Sequence, residues 1–381
     1  MIYVHVPFCH RKCVYCAFYS KAVASSQWPV AGYVDALLQE MEARRGEQVH
    51  PIRTVYFGGG TPSILPIEQL TRIVEGVHRC FDLSRVEEMT LEANPEDLTP
   101  EYLASLRRLG FDRLSIGVQS LDDKVLRMLN RRHTAQQAIE AVENARGAGF
   151  ENLSVDFIYG IIEGIEPIDK TALLEKVTHI SAYALTVEEG TALARQVEQG
   201  RVTLPDEDEV VRQYYALHEL FTRCGFEQYE VSNYARPGYE SKHNSRYWNR
   251  TPYMGFGPAA HSFSLFDGGS TSVAHVEKRR WNISSVEKYI SGLSGHSGIT
   301  RIFDEETLTE ADAYNELLMT SLRTVAGLPL ALVPEGQKER LHRGMQPYVE
   351  CGWVERLDDR YRPTAEGLLH ADGMAAALFV A

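Results

Sequence analysis

The sequence has no surplus of basic residues. Its 39 lysines and arginines are outnumbered by 52 aspartates and glutamates, which gives a formal net charge of -13 over 381 residues. A protein that binds a nucleic-acid backbone needs a basic surface to displace counterions. The composition therefore predicts no nucleic-acid partner and disfavours an enzyme that acts on RNA.

Long apolar runs are also missing. No stretch approaches the roughly 20 apolar residues that a membrane-spanning helix requires. The first residues, Met1-Ile-Tyr-Val-His-Val-Pro7, are typical of a strand and lack the basic start and cleavage site of a secretory signal. We expect a cytoplasmic protein. Peripheral contact with a membrane stays open, because a surface patch leaves no hydropathy signal.

Cysteine is scarce outside one short segment. Three of the 6 cysteines fall within residues 9–16, and the others, Cys80, Cys224 and Cys351, are scattered. A buried thiol behaves as a small hydrophobic group, so we expect these three to be structural core residues. A disulfide framework is not expected in a reducing compartment.

Short β-rich runs alternate with amphipathic patterns through the first half of the chain. Such alternation indicates a parallel sheet with right-handed crossovers. Six units predict an α/β fold, namely a partial (β/α)6 barrel that resembles an incomplete TIM barrel. The predicted strands are Ile2–Val6, Thr54–Phe57, Met89–Leu91, Arg113–Gly117, Asn152–Asp156 and Ile180–Leu185. The predicted helices are Val30–Arg44, Ile67–Arg79, Pro100–Leu109, Asp123–Leu129, Ala135–Ala148 and Lys170–Val177.

The second half has a different pattern. Asp206–Cys224 predicts a further long helix, and residues 226–300, rich in Tyr, Gly, Asn and Ser, predict loops with short strands. A helical pattern resumes at Glu305, runs through Leu322 and is followed by a short hairpin signal around Leu357. We expect a barrel domain over 1–225, a connecting segment over 226–300 and a small, mainly helical, winged-helix-like domain over 301–381.

Cysteines directly after the first strand form a metal-binding pattern. Cys9-His-Arg-Lys-Cys13-Val-Tyr-Cys16 is a C-x3-C-x2-C triplet. Three thiolates hold three irons of a [4Fe-4S] cubane and leave the fourth iron open to a small ligand. A zinc site needs a fourth ligand, for which His10 or His5 could be nominated, and buried thiols are the remaining alternative.

Polar or glycine-rich segments follow the next strands. Gly58-Gly59-Gly60-Thr61-Pro62 follows the second strand, and glycines let a backbone approach a ligand closely. Active sites of parallel barrels gather at the carboxyl ends of their strands. Carboxylates there accept bonds from ribose hydroxyls or an amino group, and an arginine binds a carboxylate. The aligned residues are Glu92, Gln119, Arg131 and Asp156.

These segments resemble the radical S-adenosylmethionine (SAM) superfamily, in the branch of the oxygen-independent coproporphyrinogen III dehydrogenases and the heme chaperones. The resemblance spans nearly the whole chain and implies a [4Fe-4S] cluster on Cys9, Cys13 and Cys16. It implies SAM contacts at Tyr3, Gly59, Gly60, Thr61, Glu92, Gln119, Arg131 and Asp156, and places Tyr15 beside the cluster. The phrases that carry it are Tyr3-Val-His-Val-Pro-Phe-Cys9, Gly58-Gly-Gly-Thr-Pro-Ser63, Leu91-Glu-Ala-Asn-Pro95, Ser115-Ile-Gly-Val-Gln-Ser120 and Ser154-Val-Asp-Phe-Ile-Tyr-Gly160.

Two members of this branch compete as the closer counterpart. The dehydrogenase oxidatively decarboxylates porphyrinogen propionates and carries a further cysteine just after the triplet, where this chain has Ala17-Phe18-Tyr19. The dehydrogenases also have a segment ahead of the cluster, whereas this chain begins at its first strand. We therefore expect a heme-transfer chaperone without dehydrogenase activity, and keep the dehydrogenase as the alternative.

The segment Ser241-Lys-His-Asn-Ser-Arg-Tyr-Trp248 is similar to the chaperones. The resemblance makes His243 the candidate heme ligand, with His261 as a rival and a backbone-bonded loop histidine as the alternative. It implies heme as a third cofactor, delivery of heme to respiratory apo-proteins, and room for a homodimer. A turn found in the family after the fifth strand is shortened here, at residues 161–169.

Overall fold

The computed structural model describes residues 1–22, 29–48, 50–164, 171–267, 275–294 and 301–380. Six parallel strands lie side by side in chain order, and each begins within one residue of its predicted start. They are β1 (Ile2–Val6), β2 (Thr54–Gly59), β3 (Glu88–Ala93), β4 (Arg113–Gln119), β5 (Asn152–Tyr159) and β6 (His179–Ala184). The predicted partial (β/α)6 barrel is confirmed.

Both edges of this sheet are extended by strands from later in the chain. β7 (Asn233–Ala235) pairs antiparallel with β6, and β8 (Met254–Phe256) pairs parallel with β1. Glu227–Gln228 pairs with β7 and ends the sheet on that side. Residues 226–300 thus contribute to the barrel sheet itself, and the predicted domain boundary at residue 225 stays a prediction.

Helices cover the outside of the sheet because their apolar faces match its outer face. In α2, Leu70, Ile73, Val74 and Val77 recur at helical spacing and are all buried. The side chain of Thr99 accepts a hydrogen bond from Tyr102 N and so caps α3. The helices of this half are α1 (Val30–Arg44), α2 (Ile67–Cys80), α3 (Pro100–Arg108), α4 (Asp123–Met128), α5 (Ala135–Gly147), α6 (Thr171–Leu174), α7 (Ala192–Glu198) and α8 (Glu207–Arg223).

Several predicted elements differ from the structure. The helix predicted over Lys170–Val177 is reduced to α6, and its first predicted residue, Lys170, lies outside the described residues. Residues 165–169 of the shortened turn also lie outside the described residues. The prediction of loops and short strands over residues 226–300 is wrong in part. That segment also forms the helices α9 (Lys242–Trp248) and α10 (Val286–Ser294) and the longer strands β9 (His261–Asp267) and β10 (His275–Asn282).

Glu305 does not start a helix. It lies in β11 (Phe303–Thr307), which pairs antiparallel with β10. The helix α11 (Glu310–Ser321) begins only after Thr309, whose side chain caps Asp312 N. The acidic residues of β11 are compatible both with the two-residue repeat of a strand and with the 3.6-residue repeat of a helix, so the sequence pattern alone did not distinguish the two.

The C-terminal part is mainly helical, as predicted, with a small hairpin. It contains α11, α12 (Glu335–Glu350), α13 (Ala365–Leu369) and α14 (Ala371–Leu378), with β12 (Val354–Arg356) paired to β13 (Arg360–Pro363). Its own apolar core includes Leu318, Leu341, Met345 and Leu378. Among the described residues, no helix is long and apolar enough to cross a membrane.

The three scattered cysteines do not share one environment. Cys80 is buried at the end of α2, as expected, whereas Cys224 is only half-buried. Cys351 is exposed just after α12, so the expectation of a core thiol is wrong there. Its position at a helix end, followed by Gly352 with φ 82°, places it in a surface turn.

Candidate functional site

The three clustered cysteines lie on the segment that follows β1, at the carboxyl end of the parallel strands. Cys9, Cys13 and Cys16 are half-buried free thiols. Thr61 Oγ1 donates to Cys9 Sγ at 3.5 Å, and Arg131 Nη1 donates to Cys13 Sγ at 3.5 Å. The fold therefore brings the thiols against two residues predicted to contact the nucleoside cofactor.

One of the two residues nominated as a fourth zinc ligand is engaged in hydrogen bonds. His5, one nominated fourth ligand, has both ring nitrogens engaged, with Tyr3 Oη at 3.1 Å and the Tyr19 carbonyl at 2.9 Å. Among the described residues, no group of three or more His, Cys, Asp or Glu lies close enough together to hold a metal ion, the three cysteines included. Burial raises the pKa of the Cys9 and Cys16 thiols, so binding of iron must release protons.

The glycine run joins the cysteine segment to the second strand. Gly60 N donates to the Val6 carbonyl at 2.7 Å, and a Cβ on Gly60 would stand 2.6 Å from the Phe8 carbonyl oxygen. Gly59 has φ 109°, and a Cβ there would meet the His5 ring at 2.6 Å. Only residues without a side chain permit this approach. The run thus fixes the position of the first cysteine.

Glu92 points into the mouth of the barrel from β3. Its carboxylate accepts bonds from Tyr56 Oη at 2.8 Å and from Gly59 N at 3.1 Å. Burial raises the pKa of Glu92 to about 7, with a further contribution from the neighbouring Asp156, against these hydrogen bonds. The group is therefore poised to change its charge near neutral pH.

Gln119 is the last residue of β4, and Asp156 lies within β5, three residues before its end. Ser115 Oγ donates to Asp156 Oδ1 at 3.1 Å, while burial raises the pKa of Asp156. Gln119 is buried with φ 66°, a conformation that residues other than glycine seldom adopt outside functional sites. Gln119 also lines a pocket that extends towards Gly160 and Gln213. Gln119 and Asp156 therefore come from the carboxyl-terminal halves of two adjacent strands.

Arg131 connects the cysteines to the strand ends. Its Nη2 donates to Asn94 Oδ1 at 2.8 Å and to the Gly117 carbonyl at 2.7 Å, while Nη1 faces Cys13. Its buried Nε has no hydrogen-bond partner in the part of the chain that the structure describes. A guanidinium with a remaining donor beside the cysteines suits the carboxylate of a small ligand.

The two predicted tyrosines occupy different positions. Tyr3 stacks on Tyr56 inside the barrel, with ring centroids 6.2 Å apart. Tyr15 lies on the cysteine segment and packs against a small apolar cluster with Val125 and Leu129. Tyr15 thus anchors the cysteine segment to α4, consistent with a place beside the cluster, whereas Tyr3 lies deeper.

His243, the candidate heme ligand, lies at the opposite end of the barrel. Its Nδ1 is 2.8 Å from Oγ1 of Thr54, the first residue of β2, and its Nε2 is 3.1 Å from Tyr247 Oη. The ring is 1% exposed and stacks on Tyr56 at 4.9 Å. Its backbone N–H donates to Glu88 at 3.0 Å. In this conformation neither ring nitrogen is free, so His243 does not fit a heme iron.

His261, the rival histidine, is exposed at the start of β9. Its ring stacks on Trp281, with centroids 6.2 Å apart. The neighbouring strand β8 runs parallel to β1, so the turn after β8 reaches the cysteine end of the barrel. A planar, partly apolar ligand could approach this imidazole without breaking a buried hydrogen bond.

Three residues of the site were not predicted from the sequence. Tyr56 binds Glu92, Asn94 orients Arg131, and Arg113 lies beneath the carboxylates inside the barrel. The signal for Tyr56 and Arg113 is the period of two along each strand, since every second residue faces the interior. Asn94 stands two residues after Glu92 and so shares the strand mouth.

Family profiles match both parts of the chain. The profile of the Radical SAM superfamily matches residues 3–174, and the profile of the HemN C-terminal domain matches residues 308–370. The first match includes the three cysteines. It also includes the eight residues predicted to contact SAM, and Tyr15, which is predicted to lie beside the cluster. The second covers α11 to α13.

Curated relatives cover most of the chain. A heme chaperone HemW of Mycobacterium tuberculosis is 35% identical over 99% of this chain and 94% of its own length. The heme chaperone HemW of Bacillus subtilis is 36% identical over 86% of this chain and 84% of its own length. The corresponding Escherichia coli protein is 34% identical over 70% and 71%.

A solved structure shares the fold. The structure of coproporphyrinogen III oxidase (HemN) from Escherichia coli, described as a radical SAM enzyme, aligns with a TM-score of 0.82. It covers 100% of this chain and 89% of its own, at 22% sequence identity. At that identity the likeness concerns the fold: a radical SAM barrel with a helical C-terminal domain.

Proposed function

The chain belongs to the family of HemW heme chaperones, and on that premise we propose that it binds heme and delivers it to heme-requiring proteins. The observation that carries the proposal is the 35% identity to a heme chaperone across 99% of the chain. In this proposal, the proteins that receive the heme are respiratory apo-proteins. The protein works in the cytoplasm, with peripheral contact at the membrane, and as a homodimer.

We propose that Cys9, Cys13 and Cys16 hold a [4Fe-4S] cluster. The support is their shared position on one half-buried segment, with Thr61 and Arg131 beside two of the thiols. Three protein thiolates leave one iron open, and the bound cluster would supply that open coordination position. The cysteine segment holds the thiols, and the glycine run fixes where it leaves β1.

We propose that SAM lies across the strand mouths next to this cluster. Arg131 has the donor for its carboxylate, and Glu92, when ionised, accepts a hydrogen bond from its amino group. Asp156 and Gln119 stand where ribose hydroxyls would be bound. Gly59, Gly60 and Thr61 form the backbone wall, and Tyr3 and Tyr15 support that wall and the cysteine segment.

Heme is the least localised of the three cofactors. His243 binds iron only if α9 opens, because both ring nitrogens are hydrogen-bonded in the closed barrel. His261 offers an exposed imidazole beside an indole ring. The proposed heme function therefore rests on the relatives, and His261 is the ligand that the described geometry favours.

One experiment separates this function from porphyrinogen oxidation. The anaerobically reconstituted protein is loaded with heme and mixed with the apo-form of a b-type cytochrome domain, and transfer is followed by absorbance. In parallel, the protein is incubated with coproporphyrinogen, SAM and reductant. We expect heme transfer and no protoporphyrinogen. Steady turnover of coproporphyrinogen, or no heme binding at all, contradicts the proposal.

A further inference from the structure

The interior of the barrel is unusually polar. Most barrels of this kind fill their interior with branched apolar side chains. Here the interior positions follow a period of two along each strand and carry hydroxyl, carboxyl, imidazole and guanidinium groups. Those that are buried in the described structure include Tyr56, Thr90, Arg113, Ser115, Ser154 and His179. Such an interior needs its charges balanced, because the surrounding dielectric is low.

Arg113 is a cation inside the barrel, beneath the predicted SAM site. Among the described residues it is the one cation there that is completely buried. It is 1% exposed and is the largest of the wholly buried side chains described. Its Nε and Nη1 have no hydrogen-bond partner among the described residues. A buried guanidinium with two unpartnered nitrogens is destabilising unless nearby anions or internal water compensate it.

The strands beside Arg113 carry unpartnered groups at the same level. Arg113 is in register with Thr90 on β3 and with Asn152 on β5. Thr90 Oγ1 and Asn152 Oδ1 are also buried without a hydrogen-bond partner among the described residues. Three polar side chains at one level of the sheet thus have buried atoms without hydrogen-bond partners among the described residues, and buried groups of this kind are commonly bridged by water.

The carboxylates of the predicted cofactor site lie further along the strands: Glu92 is two residues beyond Thr90 and Asp156 is four residues beyond Asn152, the two register partners of Arg113. Ser115, two residues after Arg113 on β4, is in register with Glu92 and donates to Asp156. Two residues along a strand span roughly 7 Å. At that separation, inside a protein, opposite charges interact appreciably even without direct contact.

We propose that Arg113 is a positioning residue of the SAM site, acting as the buried counter-charge that keeps Glu92 and Asp156 ionised for the cofactor. The inference rests on the proposed function, since it assigns Arg113 a role in the same site. Arg113 touches no predicted cofactor atom. It acts through the two carboxylates above it.

The other groups around Glu92 do not supply this charge. The titratable side chains that face it come from five strands and one helix: Tyr3, Tyr56, Arg113, Asp156, Tyr183 and Tyr247. Four are tyrosines: burial raises the pKa of Tyr3, Tyr56 and Tyr247, whereas Tyr183 is 44% exposed. Asp156 opposes the ionisation of Glu92. Arg113 alone in this set is a cation. It acts to lower the pKa of both carboxyl groups, together with the hydrogen bonds from Tyr56 and Gly59 to Glu92 and with the Arg131 guanidinium for Asp156.

The first test measures the charge of Glu92 without any cofactor. Infrared difference spectra across a pH titration show the protonated carboxyl band of Glu92, identified by its loss in Glu92→Gln. We compare the unmodified protein with Arg113→Lys, which keeps the charge, and with Arg113→Met, which removes it. We expect the same midpoint in Arg113→Lys and a rise of about one pH unit in Arg113→Met.

The second test measures SAM binding by calorimetry over the same pH range. At neutral pH, Arg113→Met should bind SAM about five-fold more weakly, with the loss recovered at higher pH as Glu92 ionises. A merely structural role would weaken binding equally at every pH. Iron content after reconstitution reports whether each variant is folded, and Arg113→Gln replaces Arg113→Met if the latter is not.

The outcomes separate the two proposals. Identical infrared midpoints in Arg113→Lys and Arg113→Met overturn the role of Arg113, whatever happens to SAM. If the unmodified protein holds its cluster but binds no SAM, the proposed SAM site fails, while the infrared titration still reports on Arg113. A shifted midpoint together with pH-dependent SAM loss supports both.

Discussion

Thr54 Oγ1 and His243 Nδ1 lie 2.8 Å apart, although 189 residues separate them. The bond joins the first residue of β2 to α9 and closes the amino end of the barrel. Because the cysteines lie at the carboxyl end, His243 and the cluster segment occupy opposite ends of the same sheet. The chaperone-like sequence segment therefore has a structural role in this conformation.

The two histidines should respond differently to substitution. We expect His261→Ala to shift the absorption band of bound heme. We expect His243→Ala to leave that band in place and to lower stability by about 2–4 kcal/mol, because it leaves a cavity and two hydroxyls without partners. Heme titration and urea unfolding measure the two effects. Loss of the heme spectrum in His243→Ala alone would show that α9 opens to bind iron.

The cysteine triplet should determine iron loading. Anaerobic reconstitution should give about four irons per chain, and Cys13→Ser should reduce this to near zero, because two thiolates do not hold a cubane. Iron analysis and absorbance measure the effect. Cys351→Ser is the matched control, since Cys351 is exposed and far from the triplet in sequence. Equal loading in both variants, or zinc in place of iron, contradicts the cluster assignment.

Gly60→Ala should disturb the cysteine segment. The added Cβ would meet the Phe8 carbonyl at 2.6 Å and the Val6 carbonyl at 2.8 Å, both rigid backbone atoms. We expect iron loading to fall at least several-fold while the fold survives, as judged by circular dichroism. Gly147→Ala is the control, because nothing lies within 4 Å of a Cβ there. Full loading of Gly60→Ala would mean that the two segments need not touch.

Glu40 should be a major determinant of stability. Its buried carboxylate accepts bonds from Arg44 Nη1 at 3.0 Å, Asn282 Nδ2 at 2.8 Å and Tyr289 Oη at 2.5 Å. Glu40→Ala removes the buried one of the two carboxylates that pair with Arg44, leaving only the partly exposed Glu47, and takes the acceptor from Asn282 and Tyr289; the loss costs about 3–5 kcal/mol. Urea unfolding measures the loss.

Glu42→Ala, on the same helix, is the control for Glu40. Its side chain is 51% exposed, pairs with the exposed Arg45 and accepts a long bond from Cys80 Sγ at 3.5 Å, so little change is expected. A similar small effect in both variants would mean that the Glu40 network contributes nothing beyond a surface ion pair.

Glu230 should make stability depend on pH. It is buried where the barrel meets the C-terminal part, and burial raises its pKa to about 7. The folded protein then binds the proton more tightly than the unfolded chain, so stability falls as pH rises from about 4.5 to 7. Glu230→Gln should remove this pH dependence. The free energy of unfolding of the variant, measured in urea relative to the unmodified protein, should therefore increase as the pH rises. The exposed Glu227→Gln is the control. A pH-independent difference contradicts the prediction.

The barrel could be predicted because its signals are local. Each strand is a short β-rich run followed by a helical pattern, and the cysteine triplet and glycine run stand directly after strands β1 and β2. The hairpin of the C-terminal part was visible for the same reason. Where a segment such as Glu305–Thr307 suits two periods, the partner strand decided between them, and that partner is not adjacent in the chain.

The sequence alone determined the order of strands, the candidate cluster ligands and the row of polar groups at the strand mouths, because these follow from patterns within a few residues. Only the tertiary structure decided that His243 is buried at the far end of the barrel, that Tyr56 holds Glu92, and that Arg113 lies beneath two carboxylates. Those relationships join residues from separate strands and helices. Which groups share a buried space depends on how the sheet closes, and only then do burial and neighbouring charge set what each side chain does.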